Sequence, residues 1–275
     1  YAMTTYDGSH KTLKEINYSG QPAGYVSQPG EVVNYVENHD NQTLFDINVY
    51  KLPLDTSRED RARVQLLAAA TTALSQGVAY FHAGLDVLRS KSMDRNSYNS
   101  GDWFNRLDWT YQDNYFATGL PPKADNGDAY ALIRPLLANA AIKPGPAEIM
   151  LMRDMFLDLL KIRASSSLFH LRTAAEVQQR LRFENVGAQQ NGAVIAAHLD
   201  GKNYPAAGYR SIMYFINVAT TPQVLDLPDQ KGQTYILHPV QSAKGAADKR
   251  VATSASYDAK LGRFTLPARS AVVFV

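Results

Sequence analysis

The sequence predicts an α/β region followed by an all-β region, and three observations lead to this fold class. The segment Glu31–Val36 resembles a strand that is covered on both faces. The helical run Arg61–Ser75 and a second short strand, Val78–Phe81, come next. From Thr173 to Val275, apolar and polar residues alternate between turn signals, which is typical of antiparallel strands in a β-sandwich or a similar sheet.

Local signals support each element of the first region. Thr56-Ser57 is a suitable helix cap, and Glu59 and Asp60 place acidic groups in the first turn. Gly77 ends this helix. An apolar stripe runs along the helix at Val64, Leu67, Ala68 and Leu74. The order strand, polar loop, helix, strand predicts one βαβ unit with parallel strands.

Two strands alone cannot form a closed sheet, so residues 1–172 are interpreted as the end of a larger α/β domain and residues 173–275 as a complete β domain. A second helix is predicted from Ala147 to Ala164, with Pro146 before its start. The stretch from Leu88 to Pro146 has no clear periodicity. Long connections of this kind are uncommon unless they are functional.

Composition excludes several classes of function. The chain has 275 residues, 45% of them hydrophobic and 20% charged, and a net charge of +2, so nothing in its charge favours nucleic acid as a partner. The lack of cysteine excludes disulfides, thiolate metal sites and a thiol nucleophile. No apolar run approaches the roughly 20 residues of a membrane span.

A polar cluster, Asn38-His39-Asp40, follows the first strand. Catalytic groups lie at the carboxyl ends of strands in parallel α/β folds, so these residues are candidates for a site. One alternative is that Asp40 caps a turn while His39 satisfies a hydrogen bond in the core. Another is a metal-dependent phosphohydrolase, but the six histidines are scattered and no helical pair exists. We therefore predict no catalytic metal site.

A second constellation combines Asp102 and Arg106, four residues apart, with nearby aromatic side chains. A local ion pair of little energetic value is the simplest interpretation of this spacing. Sugar binding is a second interpretation, because sugar rings present apolar faces for stacking and hydroxyl pairs for bidentate hydrogen bonds. The aromatic residues are Tyr98, Trp103, Phe104 and Trp109.

Three segments resemble a known enzyme family. "YVENHDNQTLFD" is similar to the fourth signature region of the α-amylase family of glycoside hydrolases, and the following "INVYKLP" favours its pullulanase and limit-dextrinase debranching enzymes. "SYNSGDWFNRLDW" resembles their substrate-binding loop after the eighth barrel strand. "LPARSAVVFV" is similar to the last strand of their C-terminal β domain. The resemblance covers essentially the whole chain.

The resemblance implies a fold and an activity. Residues 1–172 would be the last quarter of a (β/α)8 barrel, strands seven and eight with their helices, and residues 173–275 a β-sandwich C domain. The reaction would be retaining hydrolysis of α-1,6-glucosidic branch bonds in pullulan, amylopectin and limit dextrins. Asp40 matches the acid that stabilises the transition state, and His39 would contact the same sugar.

The resemblance also assigns the substrate-binding residues: Asp102 and Arg106 would hold the far edge of the ring, with Tyr98, Trp103 and Phe104 as the neighbouring wall. The family's nucleophile and general acid belong to upstream segments, and no match to them is found here. Glu37 lies on the same strand end as Asp40, so it cannot replace a group from the opposite side of the barrel. The chain is therefore expected to be inactive without its upstream part, which becomes its partner, and to expose strand edges when isolated.

Three further expectations remain open. An α-1,4-acting amylase shares the His-Asp and Asp/Arg groups, and a non-catalytic α-glucan-binding module would use the aromatic loop and the β domain. No cofactor is required for the chemistry, although many relatives carry structural calcium, for which Asp125, Asn126 and Asp128 offer oxygen atoms. A starch-degrading activity favours a secreted or cell-surface location.

Overall fold

A computed structural model describes residues 2–4 and 9–275, which fall into two compact units. The first unit takes its described residues from Tyr1–Asn34, Ala70–Ala79 and Asp158–Val275. The second comprises Tyr35–Ala69 and Tyr80–Leu157.

Helices and strands alternate irregularly along the chain. The α-helices are α1 Leu44–Lys51, α2 Arg58–Ala73, α3 Asp102–Asn105, α4 Lys123–Asn126, α5 Tyr130–Leu137, α6 Pro146–Ala164, α7 Ala174–Arg180, α8 Pro239–Ser242 and α9 Lys249–Ser254. The strands before residue 100 are β1 Ala2–Thr4, β2 His10–Thr12, β3 Asn17–Tyr18, β4 Gln21–Pro22, β5 Val33–Asn34 and β6 Val78–Ala79. The later strands are β7 Leu181–Phe183, β8 Val194–Asp200, β9 Ser211–Asn217, β10 Gln223–Asp226, β11 Ser256–Asp258, β12 Arg263–Leu266 and β13 Ser270–Phe274.

Strands β5 and β6 form the predicted parallel pair, with Val33 opposite Val78. The predictions that these strands span Glu31–Val36 and Val78–Phe81 and that they are buried are wrong. Each has only two residues, and Val33 and Val78 are 55% and 46% exposed. The reason is that no other strand flanks this pair in the described part of the chain, so nothing extends the ladder or covers its edges.

Helices α2 and α6 lie close to where the sequence predicted them. Helix α2 begins at Arg58, and the Ser57 hydroxyl oxygen accepts the Asp60 N–H at 3.1 Å, so the predicted cap is confirmed. Helix α6 spans Pro146–Ala164, one residue longer than predicted. Strong helix formers and clear caps explain both results.

The sequence analysis predicted only α2 and α6 among the α-helices, and a local feature accounts for three of the others, α1, α5 and α7. Helix α1 begins after Thr43, whose hydroxyl accepts the Asp46 N–H at 3.2 Å. Helix α5 contains Pro135, which hides it in a search for regular helical segments. Helix α7 has a capping box formed by Thr173 and Glu176, inside the stretch predicted to contain only strands.

The strands after residue 180 form two antiparallel sheets, as the alternating pattern predicted. One has the order β13-β9-β8-β7 and the other β10-β12-β11. Side chains from both sheets share one core cluster, in which Phe264 is fully buried. The ring of Phe264 lies 4.6 Å from that of Tyr257, 4.8 Å from Phe215 and 5.3 Å from Phe274. Aromatic contacts therefore join the two sheets.

His238 caps helix α8 from a buried position, where it is 1% exposed. Its Nδ1 accepts the Val240 N–H at 3.2 Å, and its Nε2 lies 3.0 Å from the Ser165 hydroxyl. Burial lowers the pKa of His238 to about 4. Protonation of Nδ1 would also remove the acceptor that caps the helix, so the folded protein holds this imidazole neutral.

We predict that His238 makes the first unit sensitive to acid. The unfolded histidine binds a proton below about pH 6.5, whereas the folded one does so only near 4. The free energy of unfolding should therefore fall as pH drops through this window, by roughly 2–3 kcal/mol at pH 4.5. Urea unfolding at pH 7 and 4.5 tests this, because His238→Gln should lose less stability than the wild type. The exposed His170 provides the control, His170→Gln. Equal losses in the wild type and His238→Gln would contradict the prediction.

Candidate functional site

The His39–Asp40 pair lies in a tight turn of the second unit and faces solvent. The Asn38 side-chain oxygen accepts the Asp40 N–H at 2.8 Å, which closes an Asx turn, and Asn41 has a left-handed backbone with φ 58°. The side chains of His39 and Asp40 are 81% and 69% exposed, with Nε2 and Oδ1 3.5 Å apart. Asp40 is therefore available to a ligand, and His39 does not satisfy a hydrogen bond in the core.

Arg106 lies between two aromatic rings. Its guanidinium carbon is 4.0 Å from the ring centroid of Trp103 and 4.0 Å from that of Tyr115. The Trp103 indole N–H donates to the Thr118 carbonyl at 3.0 Å, which fixes the outer ring. Among the described residues, no side-chain ion pair links Arg106 to Asp102, so the simple salt-bridge interpretation is wrong. The Arg106 backbone N–H instead donates to the Asp102 carbonyl at 3.0 Å.

The other predicted binding residues lie on the same loop. Asp102 begins helix α3, with its carboxylate exposed. Tyr98 and Trp109 are also exposed, and Phe104 is half-buried. Exposed aromatic rings beside a carboxylate and a stacked guanidinium offer both the apolar and the polar contacts that a sugar ring requires.

The segment Arg89–Ser92 connects the parts of this site. Arg89 donates to the Asn105 carbonyl at 2.8 Å, next to Arg106, and the Ser92 hydroxyl donates to the Gly119 carbonyl at 2.5 Å. Between them, Lys91 donates to the carbonyl of Asn41 at 2.6 Å. One short segment therefore holds both the turn that carries Asp40 and the loop that carries Arg106.

A buried carboxylate fixes this segment in turn. Asp46 is fully buried and accepts the Ser90 hydroxyl at 2.5 Å, the Lys91 N–H at 2.8 Å and the Met93 N–H at 3.1 Å. Burial raises the pKa of Asp46 to about 6, against the opposing effect of these donors. Ser92 and Met93 have left-handed backbones, with φ of 51° and 66°, a conformation that needs such support.

Glu37 supports the start of helix α1 rather than facing a ligand. Its carboxylate is buried and accepts the backbone N–H of Leu44, the first residue of helix α1. The other oxygen lies 3.6 Å from Nδ1 of His82. A buried acid that binds a helix start is not placed to protonate a leaving group, which agrees with its exclusion above.

The suggested calcium ligands do not fit a metal ion. Asn126 is buried, and its side-chain oxygen already accepts the Arg95 N–H at 3.0 Å. An oxygen of Asp125 accepts the Asn96 amide at 3.1 Å, and Asp128 is exposed. Within residues 2–4 and 9–275, no group of three or more acidic or imidazole side chains could hold a metal.

No helix in the part of the chain that the structure describes is long and apolar enough to cross a membrane.

Sequence reasoning missed Tyr115, Asp46 and Lys91 as parts of this site. Tyr115 lies in a loop without periodicity, nine residues from the arginine it contacts. Asp46 carried a weak signal, since it lies three residues after the helix cap Thr43. Lys91 had none, because lysine is almost always exposed and its neighbours in sequence are polar.

Similar proteins are found over the whole length of this chain. A family model described as "Alpha-1,6-glucosidases, pullulanase-type, C-terminal" matches residues 111–275. Pullulanase 1, chloroplastic, from Arabidopsis thaliana is 42% identical over 100% of this chain and 29% of the relative. Pullulanase from Klebsiella pneumoniae is 37% identical over 99% of this chain and 25% of the relative. The chain thus spans less than a third of the length of these relatives.

Solved structures agree with these matches. The crystal structure of PulA from Klebsiella oxytoca covers 100% of this chain with a TM-score of 0.89 at 35% identity, using 26% of its own length. A Klebsiella pneumoniae pullulanase complexed with maltotriose covers 100% of this chain with a TM-score of 0.87 at 36% identity, again using 26% of its length. The resemblance inferred from the sequence is confirmed: the chain belongs to the pullulanase-type α-1,6-glucosidases and corresponds to their C-terminal region.

Proposed function

We propose that this chain is the C-terminal part of a retaining hydrolase that cleaves α-1,6-glucosidic branch bonds. The proposal includes the last quarter of a (β/α)8 barrel within residues 1–172 and a β-sandwich within residues 173–275. The observation that carries it is the exposed Asp40 carboxylate, held in a turn that one segment connects to the Arg106 loop. The relative solved with maltotriose supports an α-glucan as the ligand.

Asp40 supplies negative charge at the ring that is cleaved. Its carboxylate accepts hydrogen bonds from two neighbouring sugar hydroxyls, and those bonds strengthen as the ring becomes an oxocarbenium ion. Because they favour the transition state over the ground state, they lower the barrier rather than only the dissociation constant. His39 is placed beside Asp40 to contact the same sugar. A nucleophile and a general acid come from upstream segments, so this chain alone is inactive.

Arg106 and the aromatic residues bind the substrate. The two rings fix the guanidinium plane, so its N–H groups point in defined directions towards sugar hydroxyls. Asp102, Tyr98, Trp103 and Phe104 form the wall of the same subsite. The chemistry requires no cofactor. The side-chain oxygens of Asp125 and Asn126 already accept hydrogen bonds, which argues against calcium binding at that loop. A polymeric substrate favours a secreted or cell-surface enzyme.

Hydrolysis of pullulan by the full-length protein that carries this chain tests the function. Maltotriose as the product supports α-1,6 cleavage, whereas panose would point to an α-1,4-acting amylase. Binding of maltooligosaccharides without any product would favour a non-catalytic module. This chain assayed by itself should release no sugar, and activity from it would contradict the proposed upstream nucleophile and acid.

We predict that Arg106→Lys lowers kcat/KM for pullulan about tenfold in the full-length protein. Lysine keeps the charge but loses the planar group that stacks between Trp103 and Tyr115, and each such contact is worth about 0.5–2 kcal/mol. Steady-state kinetics measures the effect. Arg134→Lys is the matched control, because Arg134 lies over the Tyr130 ring on helix α5 and has no proposed role. Equal kinetics for both variants would remove Arg106 from the subsite.

A further inference from the structure

Lys91 is a buried lysine whose charged end reaches the turn that carries Asp40. It is 2% exposed, which is rare for this residue type. Its Nζ donates to the Asn41 carbonyl at 2.6 Å and to the His39 carbonyl at 3.3 Å. These two carbonyls flank Asp40 on either side, so one ammonium group holds both ends of the turn.

The turn has little else to hold it. Residues 38–41 belong to no helix or strand, and Asn41 adopts a left-handed backbone. In the described part of the chain, their hydrogen bonds are the Asx bond from Asp40 to Asn38 and the two bonds donated by Lys91. Two of the three bonds therefore depend on a single side chain.

Lys91 is itself fixed in place. Its backbone N–H donates to Asp46, which also holds Ser90 and Met93 on either side. Burial lowers the pKa of Lys91, while the nearby carboxylates of Asp46 and Asp94 favour its charged form. A fixed, charged donor restricts the backbone of Asp40 without occupying its carboxylate, which stays free for a ligand.

We propose that Lys91 is a positioning residue for Asp40: its buried ammonium fixes the His39–Asn41 turn and so directs the Asp40 carboxylate at the reacting sugar. The identity of the reaction rests on the proposed function, whereas the ordering of the turn rests on geometry alone. A misplacement of about 1 Å at a reacting centre can cost roughly 100-fold in rate, so this role has a large measurable consequence.

The first experiment follows the turn in the full-length protein, by hydrogen exchange of a peptide that spans residues 38–46. Lys91→Met should raise amide exchange there at least about tenfold, because the turn opens more often once the His39 and Asn41 carbonyls lose their charged donor. Peptides from β8 and β9 should not change. Lys51→Met, at the exposed end of α1, is the control. Unchanged exchange at residues 38–46 would overturn the proposal. If Lys91→Met does not fold, Lys91→Gln, which also removes the charged donor, replaces it in both experiments.

The second experiment is a double-mutant cycle on pullulan hydrolysis with the full-length protein. Lys91→Met alone should lower kcat about 10–100-fold. In an Asp40→Asn background it should lower kcat by less than about threefold, because both changes act through one carboxylate. Lys91→Arg should recover part of the loss. Fully additive losses, or no loss from Lys91→Met, would overturn the positioning role.

The two experiments separate the possible failures. If the wild-type protein does not cleave pullulan but exchange at residues 38–46 still rises in Lys91→Met, the proposed function fails and the turn-fixing role of Lys91 remains. If pullulan is cleaved and the cycle is additive, the function stands and the positioning proposal fails.

Discussion

Asp40→Asn should lower kcat on pullulan about 10²–10³-fold in the full-length protein and leave affinity for maltotriose within a few-fold. The amide keeps the shape of the carboxylate but removes the negative charge that, in the proposed function, stabilises an oxocarbenium ion. Ground-state hydrogen bonds from sugar hydroxyls survive in part, because the amide oxygen still accepts them. Turnover and binding should therefore separate, as expected for an interaction made mainly in the transition state.

Asp40→Asn should change the charge of this side chain without changing the fold of the turn. The Asx turn uses the backbone N–H of Asp40 and the side chain of Asn38, so the turn does not depend on the Asp40 carboxylate. That carboxylate is 69% exposed, and its replacement should leave the unfolding midpoint unchanged. Steady-state kinetics measures turnover, maltotriose titration measures affinity, and thermal melting measures the unfolding midpoint. Asp55→Asn, at another exposed acid, is the control. Full turnover by Asp40→Asn would remove Asp40 from the mechanism.

Phe264→Ala should destabilise this chain by about 3–5 kcal/mol. The ring is fully buried where the two antiparallel sheets share their core, in contact with Phe215, Tyr257 and Phe274. Its removal loses the transfer free energy and leaves a cavity that neighbouring rings cannot fill without leaving their own contacts.

Urea unfolding measures the effect of Phe264→Ala. Ile195→Ala on β8 is the control, because Ile195 is an apolar residue of the same region that is exposed rather than buried. Its loss should be several-fold smaller. Similar losses for both variants would show that Phe264 is not the centre of this core.

Local signals in the sequence were sufficient for part of the fold. The cap at Ser57 and the alternation after residue 180 depend on neighbouring residues, and both predictions are confirmed. The extent of β5 depends on strands that pair with it from elsewhere, and no local pattern reports their absence. Helix α5 was missed because Pro135 lies inside it, where proline normally argues against a helix.

Some residues of the candidate site could also be predicted from local sequence, and others could not. His39 and Asp40 could be found because they follow a predicted strand and match a family motif, and the Arg106 loop because its charged and aromatic side chains suit a sugar ring, although their roles stay a prediction. The stacking of Tyr115 on Arg106 could not be found, since the loop that brings them together has no periodicity. Nor could the support of the turn by Lys91, because a buried lysine is recognisable only once its surroundings are known.

The four residues from Arg89 to Ser92 have a consequence for protein engineering. Because they bond the turn that carries Asp40, the carbonyl beside Arg106 and the Gly119 loop, an insertion or deletion within them would displace all three at once. A chimera that takes only one of these loops from a homologue would combine that loop with an Arg89–Ser92 segment from a different protein. Residues 37–46 and 88–119 are best transplanted together as a single cassette.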